Sequence, residues 1–458
     1  MQESSVTNGR DAWGTRAGFI LAAIGSAVGL GNMWRFSYVA AEGGGAAFVL
    51  LYLFFVAFIG MPIMTSELVI GRMTQVSPVQ AVKRLGGPAW GPLGVLFAFC
   101  GFGILSYYSV IAGWTMRYAL DAVLGSMPAE AAEAADYFTS VGTGVPAIIT
   151  HVIFMVITIF IVVGGIKRGL ERAALVLMPL LFFILVSLAL WATTLSGGGA
   201  GYAYYLKPQF TELLDPAIIT DAAGQAFFSL SLGMGAIMTY ASYLKTKSNL
   251  AKETVMIAMS DFSVAFIAGL FVFPIIFHFG LGDAIGLGAT IADNTVGTLF
   301  IAIPPALLSL PIGQWIVAAF FVMLFFAALT SAISLLEVVV TAVIDSWGWE
   351  RKRAATVFGT GIILAGIPSA FNLNFLGFAD KLVGNLFLIF GGLMISILVG
   401  YKVLAEADGE LAQGMEGTGT RRAWAWFVRY VAPPVLFLVL IFTIPKVWTA
   451  FKTLVGMN

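Results

Sequence analysis

The sequence predicts an all-α protein that crosses a membrane many times. Its 458 residues are 59% hydrophobic and only 10% charged, whereas soluble domains are roughly 45–50% apolar and about 25% charged. The mean hydropathy is +0.95. Apolar stretches of about 20 residues, the length that a spanning helix needs, recur from Ala17 onwards with short polar loops between them.

Eleven such stretches follow one another, and no segment between them is long enough for a soluble domain. The first is not a cleavable signal peptide, because it runs into Gly31, Asn32 and Arg35 and lacks a small-residue cleavage pattern. We interpret 196–222 and 282–309 as external loops with short helices, because both are rich in Gly, Pro and Asp. The spanning helices are predicted over 15–38, 45–70, 91–124, 146–164, 170–195, 223–245, 252–281, 310–344, 354–370, 379–404 and 424–448.

Basic residues predict the orientation, since cytoplasmic loops carry an excess of Lys and Arg. Alternate loops are basic, and the loops between them hold almost no Lys or Arg apart from Lys207 and Lys381. We therefore expect a protein of the cytoplasmic membrane with its amino terminus inside and its carboxyl terminus outside. The basic loops contain Arg72, Lys83, Arg84, Lys167, Arg168, Arg172, Lys245, Lys247, Lys252, Arg351, Lys352, Arg353, Lys402, Arg421 and Arg422.

The composition excludes several classes of function. The 24 basic and 24 acidic residues cancel, so the chain lacks the basic footprint of a nucleic-acid-binding protein. The single cysteine, Cys100, excludes a disulfide framework and a thiolate metal cluster. His151 and His278 are too few and too far apart in sequence to indicate a zinc or haem site. An enzyme is disfavoured because no activated Ser, His or Cys stands beside a base.

Two spans carry Gly-x-Gly in mid-membrane: the first at Gly29-Leu30-Gly31 and the sixth at Gly233-Met234-Gly235. Each glycine costs a helix about 1 kcal/mol relative to alanine. If the backbone unwinds there, its freed carbonyls and amides must line a cavity or bind a ligand, because they cannot face lipid. Two such helices at the first positions of two five-helix halves predict the binding site of an inverted-repeat transporter. Close helix packing is the alternative.

The eighth span offers a hydroxyl pair, Thr330 and Ser331, which suits a hard cation held mainly by carbonyl oxygens. Hydroxyls that bond their own helix are the alternative. Ionisable residues inside a span indicate function by default, so Asp261 and Glu67 are candidates, with an interfacial position as the alternative for both. Tyr108 places a phenol in mid-span, where a core tyrosine bonded to a carbonyl is the alternative.

Together these residues resemble the neurotransmitter:sodium symporters, of the bacterial leucine and hydrophobic amino acid transporter type. Three segments carry the resemblance, which extends from Arg10 to about Lys402: Gly-Ser-Ala-Val-Gly-Leu-Gly-Asn-Met-Trp-Arg-Phe at 25–36, Phe-Phe-Ser-Leu-Ser-Leu-Gly-Met-Gly at 227–235 and Ala-Ala-Leu-Thr-Ser at 327–331. The resemblance implies one transmembrane domain over 1–458. It would contain two inverted five-helix repeats over 10–195 and 223–404, with helices 1 and 6 unwound and an additional eleventh helix at 424–448.

The resemblance also implies site residues, with two Na⁺ as the coupling ions. The first Na⁺ would be held by Ala27, Asn32, Ser229 and Asp261, and the second by Gly25, Val28, Ala327, Thr330 and Ser331. Arg35 with Asp380 would gate the outer face, and Arg10 with Asp345 the inner face beside Trp13, Tyr243 and Glu337. The substrate pocket would be formed by Ser26, Ala27, Gly29, Leu30, Gly31, Ile104, Tyr108, Phe228, Ser229, Ser231, Met234, Ser331 and Leu335.

Three departures from the family pattern refine these expectations. Asp261 replaces the usual Asn, and Ala265 replaces the chloride-binding Ser, so transport is expected to be chloride-independent, with proton antiport through Asp261 left open. Gly29 stands where monoamine transporters carry Asp, which favours α-amino acids over amines. Met234 replaces a bulky Phe, and methionine adapts to irregular partners, so large aliphatic and aromatic side chains should fit.

The expected function is therefore Na⁺-coupled import of neutral, hydrophobic L-amino acids by alternating access. The expected partners are the small amino acid substrate and the lipid bilayer, with no nucleic acid, and the protein is expected to be a monomer or loose dimer. An amino-acid-gated sensor or ion channel on the same scaffold is the alternative.

Overall fold

The structure is a computed structural model that describes residues 11–245, 248–281, 298–415 and 417–457, and these parts are helical throughout, with connecting turns. A π-helical turn, Gly31–Arg35, lies between the first two helices, and a 3₁₀ turn, Phe210–Leu214, precedes α10. In chain order the helices are α1 Arg16–Ala27, α2 Phe36–Glu42, α3 Ala46–Thr74, α4 Pro78–Gly86, α5 Pro88–Leu124, α6 Ala131–Gly142, α7 Gly144–Val163, α8 Ile166–Ala192, α9 Gly199–Leu206, α10 Pro216–Ser229, α11 Ala236–Ala241, α12 Leu250–His278, α13 Leu299–Leu308, α14 Gly313–Trp347, α15 Arg351–Phe371, α16 Leu373–Lys402, α17 Leu404–Ala412 and α18 Thr418–Val455.

The predicted all-α membrane fold is confirmed. In the described parts of the chain, nine helices are long and apolar enough to cross a membrane: α3, α5, α7, α8, α12, α14, α15, α16 and α18. The other two predicted spans, 15–38 and 223–245, are each split into two shorter helices. The external segment 196–222 contains α9 and the start of α10, whereas most of the second external segment, 282–297, lies outside the described residues.

The first span breaks directly after Ala27. The Val28 amide donates the last helical bond to the Ile24 carbonyl at 2.6 Å, and Val28 itself has extended backbone angles of φ −71° and ψ 106°. The helical path resumes at Leu30 and continues through the π-helical turn into α2. The Gly-x-Gly pattern therefore marks a break, as the sequence predicts, rather than a continuous helix with a small-residue face.

The sixth span breaks over residues 230–235, between α10 and α11. Ser231, Gly233 and Gly235 have φ values of 54°, 73° and 75°, in the left-handed region that glycine adopts without strain. Gly233 also needs to lack a side chain, since a Cβ there would lie 2.0 Å from the Leu388 carbonyl oxygen of α16.

The broken helices lie inside the bundle. Helix α1 packs against α8, α12 and α14, and α14 forms its most extensive contact with α5. Helix α18 lies at the periphery, because only 28% of its most apolar window is buried. Exposed apolar side chains such as Phe160 and Phe183 face outward on α7 and α8, which is the arrangement expected of a surface in contact with hydrocarbon.

Candidate functional site

The two breaks face each other in the centre of the bundle. The Ser231 hydroxyl donates to the Ser26 carbonyl at 2.7 Å, and the Gln225 side-chain amide donates to the Gly31 carbonyl at 3.0 Å. The Ser26 carbonyl at the end of α1 is thus satisfied by a side chain of the sixth span, and Gln225 ties the π-helical turn to the same span. Ser231 accepts a strained left-handed conformation to make this contact, and such strain is typical of functional sites.

A small cavity of about 30 Å³ lies between the breaks, α5 and α14. Every residue expected in the substrate pocket lines it except Leu30. Asn32 and Ser334 complete the wall, and Ser334 was not expected there. A cavity of this size holds one or two water molecules, so a substrate requires the walls to move apart. The lining residues are Ser26, Ala27, Gly29, Gly31, Asn32, Ile104, Tyr108, Phe228, Ser229, Ser231, Met234, Ser331, Ser334 and Leu335.

The amides after the first break are held by polar side chains. The Gly29 amide donates to Asn32 Oδ1 at 2.9 Å, and the Leu30 amide donates to the Tyr108 hydroxyl at 3.2 Å. The Tyr108 oxygen thus accepts from the first helical residue after the break, a contact that the alternative of a core tyrosine bonded to a carbonyl does not include. A Cβ at position 29 would lie 2.6 Å from Ser331 Oγ and 3.0 Å from the Tyr108 oxygen, so only glycine fits this position without displacement.

The residues expected at the first Na⁺ form a buried polar cluster around Asp261. The Asn32 amide nitrogen donates to Asp261 Oδ1 at 2.7 Å and to Ser229 Oγ at 3.0 Å. The Ser229 hydroxyl donates to Asp261 Oδ2 at 2.8 Å, and the Tyr52 hydroxyl lies 3.0 Å from both Ser229 Oγ and Asp261 Oδ2. Asp261 is fully buried, so the alternative of an interfacial carboxylate is wrong.

This cluster places oxygen ligands beside the Asp261 carboxylate, an arrangement that suits a cation. Asn32 Oδ1 is engaged by Gly29, and the Asn32 nitrogen faces Asp261. A cation ligated by Asn32 therefore requires the Asn32 amide to turn its oxygen inward. Ala27 lines the same cavity.

The residues expected at the second Na⁺ lie where α14 crosses the end of α1. Ser331 Oγ is 3.4 Å from the Gly25 carbonyl oxygen and 3.3 Å from that of Val28. These separations are long for hydroxyl hydrogen bonds. They match oxygens that share a cation, since neighbouring ligands in an octahedron with bonds of about 2.3–2.6 Å lie about 3.3–3.7 Å apart.

Thr330 lies beside Gly25, because a Cβ on Gly25 would be 3.1 Å from Thr330 Cβ, and Ala327 lies three residues earlier on α14. Thr330 Oγ1 bonds within its own helix, to the carbonyls of Ala327 at 3.0 Å and Phe326 at 3.2 Å. The alternative of hydroxyls that bond only their own helix therefore describes Thr330 but not Ser331. An alanine at position 25 would force the flexible Met178 side chain to move, because a Cβ there would lie 2.8 Å from Met178 Sδ and 3.1 Å from Thr330 Cβ.

The Glu67 carboxylate hydrogen-bonds to the backbone of the second break. Its side chain is fully buried, and Oε1 accepts from the Gly233 amide at 2.8 Å. The interfacial alternative for Glu67 is therefore wrong. The carboxylate stabilises the left-handed turn from the side, where it replaces a helical carbonyl as the acceptor for a freed amide.

On the side of the cavity that the resemblance assigns to the outer face, Arg35 lies over Phe228, with its guanidinium carbon 4.8 Å from the ring centre. Arg35 Nη2 donates to Asn385 Oδ1 at 2.6 Å, whereas Asp380 Oδ1 accepts from the Tyr107 hydroxyl at 3.1 Å. Arg35 and Asp380 are thus neighbours with different partners, and the direct ion pair expected from the resemblance is absent between these two described residues.

At the opposite end, the expected gate residues form a continuous network. Trp13 Nε1 donates to the Tyr240 carbonyl at 2.9 Å, and its ring packs edge-on against Tyr243. The Tyr243 hydroxyl donates to Glu337, which is fully buried. Arg351 pairs with both Glu337 oxygens, at 2.7 and 3.0 Å.

The second expected gate pair is only partly described. Arg10 lies outside the described residues. Asp345 Oδ2 accepts from the Ser77 amide at the start of α4, at 2.5 Å. Asp11, next to Arg10 in sequence, lies 3.4 Å from Arg351 Nε.

Sequence reasoning missed several residues that complete the site. Arg351 was expected only as a basic loop residue, and Ser334, three residues after Ser331, had no expected role. The partners of Tyr52, Gln225 and Asn385 could not be inferred locally, since each bonds a residue more than 170 positions away in the chain. A polar residue amid an apolar span was the available clue.

The geometry defines a membrane transporter with a central polar cavity between two broken helices, and comparisons with known proteins assign the family. The chain belongs to the sodium:neurotransmitter symporter family, whose profile matches residues 10–140 and 135–453. It is therefore a sodium-coupled membrane transporter rather than an enzyme.

Individual relatives cover nearly the whole chain. The uncharacterized sodium-dependent transporter YhdH of Bacillus subtilis strain 168 is 33% identical, over 93% of this chain and 96% of its own. The sodium-dependent serotonin transporter of Drosophila melanogaster is 25% identical, over 95% of this chain and 76% of its own. The crystal structure of MhsT in complex with L-phenylalanine matches with a TM-score of 0.85 and 38% identity, over 95% of this chain and all of that one.

Proposed function

We propose that this protein is a symporter that couples Na⁺ entry to the import of neutral, hydrophobic L-amino acids by alternating access. The observation that carries the proposal is the pair of broken helices whose freed backbone groups meet around one cavity. Freed carbonyls favour a cation and freed amides favour a carboxylate. A zwitterion with accompanying sodium ions satisfies both.

Two sodium ions are proposed. The first would share the substrate carboxylate with Asn32, Ser229, Asp261 and the Ala27 carbonyl. The second would lie among the Gly25, Val28 and Ala327 carbonyls with Thr330 and Ser331. The 3.3 and 3.4 Å oxygen separations at Ser331 support this second assignment. One charge moving through 100 mV releases about 2.3 kcal/mol, so two ions could drive substantial accumulation.

The pocket supports an apolar α-amino acid rather than an amine. Among the described residues that line the cavity none is acidic, position 29 is glycine, and Ile104, Met234 and Leu335 supply hydrocarbon. The related MhsT structure holds L-phenylalanine. Glycine or GABA would leave this hydrocarbon unfilled.

Chloride independence is proposed from the charge of Asp261. Its carboxylate lies within the first Na⁺ cluster, and Ala265, one turn further along α12, has no hydroxyl to ligate an anion. A fixed negative charge then replaces a bound anion. Export of a proton on Asp261 after Na⁺ release is an extension of the same proposal.

Alternating access would use the contacts at the two ends of the cavity. Phe228 and Tyr108 would close the pocket from the outer side beneath Arg35, and Trp13, Tyr243 and Glu337 would close the inner side. The two breaks fall at corresponding positions of 10–195 and 223–404, which supports the interpretation as two inverted repeats followed by an additional helix. The amino terminus is proposed to lie in the cytoplasm and the carboxyl terminus outside.

The test is Na⁺-dependent binding of labelled amino acids to purified protein, with Li⁺ and choline as control cations. Leucine, phenylalanine, tryptophan and methionine are expected to bind in Na⁺ only, and glycine and GABA to bind far more weakly. A preference for glycine or GABA would refute the substrate assignment. Counterflow in proteoliposomes separates a carrier from a channel or sensor on the same scaffold, because only a carrier is accelerated by substrate on the opposite side.

A further inference from the structure

Among the polar side chains that line the cavity, the hydroxyls of Ser26 and Ser334 form a pair that is assigned to neither proposed Na⁺ site. Both side chains are almost fully buried, with 2% and 1% of their surface exposed. The Ser26 hydroxyl donates to Ser334 Oγ at 2.9 Å, and the Ser334 hydroxyl donates to the Ser331 carbonyl at 2.8 Å. Both residues line the cavity.

The hydrogen bonds leave the Ser26 oxygen with unused acceptor capacity. A serine hydroxyl has one donor and two acceptor lone pairs. The Ser26 proton is used in the bond to Ser334, and within the described parts of the chain no group donates to Ser26 Oγ. The Tyr240 side chain lies within hydrogen-bond reach of Ser334. The pair therefore offers the cavity an acceptor, not a donor.

The position of the Ser26 oxygen suits a contact with the side chain of the substrate and not with its carboxylate. Under the proposed function, the substrate carboxylate lies at the Asn32, Ser229 and Asp261 cluster. Ser334 follows Ser331 by three residues, about 4.5 Å along α14. Leu335, the next residue on α14, and Met234 line the same cavity with apolar side chains.

We propose that Ser26 is a specificity residue that selects aromatic amino acids whose ring carries an N–H or O–H donor over rings of pure hydrocarbon. The inference rests on the proposed function, which it deepens from hydrophobic amino acids to this class. A pocket that offers a hydrogen bond discriminates against an analogue that lacks the matching group, because the buried polar atom then has no partner. A neutral hydrogen bond contributes about 0.5–1.5 kcal/mol, which corresponds to roughly 3- to 10-fold in affinity.

The experiment is displacement of tritiated L-phenylalanine from purified protein in saturating NaCl by two matched pairs. Tyrosine is compared with phenylalanine, and tryptophan with 3-benzothienylalanine, in which sulfur replaces the indole N–H at nearly equal size. The donor-bearing member of at least one pair is expected to displace about 3- to 10-fold better. Ser26→Ala should reduce that ratio to about one.

Ser396→Ala is the matched control, because Ser396 is equally buried but bonds the Leu393 carbonyl within α16, outside the cavity wall. It should leave the ratio unchanged. Equal displacement within both pairs by the native protein overturns the inference without any variant, and so does a preference that persists in Ser26→Ala. In both cases, Na⁺-dependent phenylalanine binding by the native protein leaves the proposed function intact, whereas its absence means that the proposed function itself has failed.

Discussion

Asp261→Asn is the substitution that most directly tests the role of charge at the first Na⁺. The native carboxylate is fully buried and accepts from Asn32 on one oxygen and from Ser229 and Tyr52 on the other. In the variant, one oxygen becomes an NH₂ group that faces donors, and the negative charge beside the ion is lost. The substitution keeps the volume, so packing should change little.

The expected size of the effect follows from Coulomb's law. A unit charge about 4 Å from the ion is worth about 4 kcal/mol at an effective dielectric constant of 20. If reorganisation of the remaining oxygens recovers about half, the loss is about 2 kcal/mol, or roughly 30-fold in Na⁺ affinity. Asp136→Asn, on the exposed face of α6, changes the same charge away from the cavity and should leave Na⁺ affinity unchanged.

The assay is a Na⁺ titration of labelled phenylalanine binding, run in chloride and in gluconate. The native curves should coincide in the two anions, and the Asp261→Asn curve should shift to higher Na⁺. Because Ala265 has no hydroxyl, chloride is expected to restore affinity only when Ala265→Ser is added to Asp261→Asn. Stimulation of the native protein by chloride, or unaltered Na⁺ affinity in Asp261→Asn, would refute the reasoning.

Three further predictions follow from the same contacts. Thr330→Val removes a proposed ligand of the second Na⁺ at nearly constant volume, so we expect half-maximal uptake to require about 10-fold more Na⁺. Thr158→Val, which removes a buried hydroxyl in α7, is the control. Equal Na⁺ curves for the two variants would contradict the assignment. Gly29→Ala places a Cβ 2.6 Å from Ser331 Oγ and should weaken equilibrium substrate binding at least 10-fold, whereas Gly409→Ala, with open space around its Cβ, should bind normally. Arg351→Gln leaves the buried Glu337 carboxylate without its ion pair, which costs about 3–5 kcal/mol of stability in a buried site. The thermal unfolding temperature of this variant in detergent should therefore fall clearly below that of the control Arg353→Gln. Similar temperatures for the two variants would count against the network.

Much of the fold could be predicted from the sequence because a membrane imposes simple rules. Each long apolar stretch had to form a helix, since backbone groups in lipid must be satisfied within the element. The Gly-x-Gly pairs at Gly29 and Gly233 predicted both breaks, because glycine weakens a helix and the freed backbone groups must then face a cavity and not lipid. Twelve of the thirteen expected pocket residues line one cavity, because these residues are concentrated at the breaks and on the helices that flank them.

The partners of individual side chains were less predictable. Arg35 was expected to pair with Asp380, yet it bonds Asn385, one turn further along α16, while Tyr107 donates to Asp380. Glu67 could equally have been an interfacial residue until the fold placed it against the Gly233 amide. The choice of partner depends on differences of about an ångström in how neighbouring helices are spaced, and hydrophobic periodicity contains no such information.

The sequence by itself determined that this chain spans a membrane, and it predicted two helix breaks together with the residue types that surround them. Only the tertiary structure decided that Tyr52 and Ser229 share Asp261, that Ser331 faces the Gly25 and Val28 carbonyls, and that Ser26 reaches Ser334. The physical reason is that helix formation in lipid is governed by local composition, whereas these contacts join side chains up to 308 positions apart and exist only once the helices have packed.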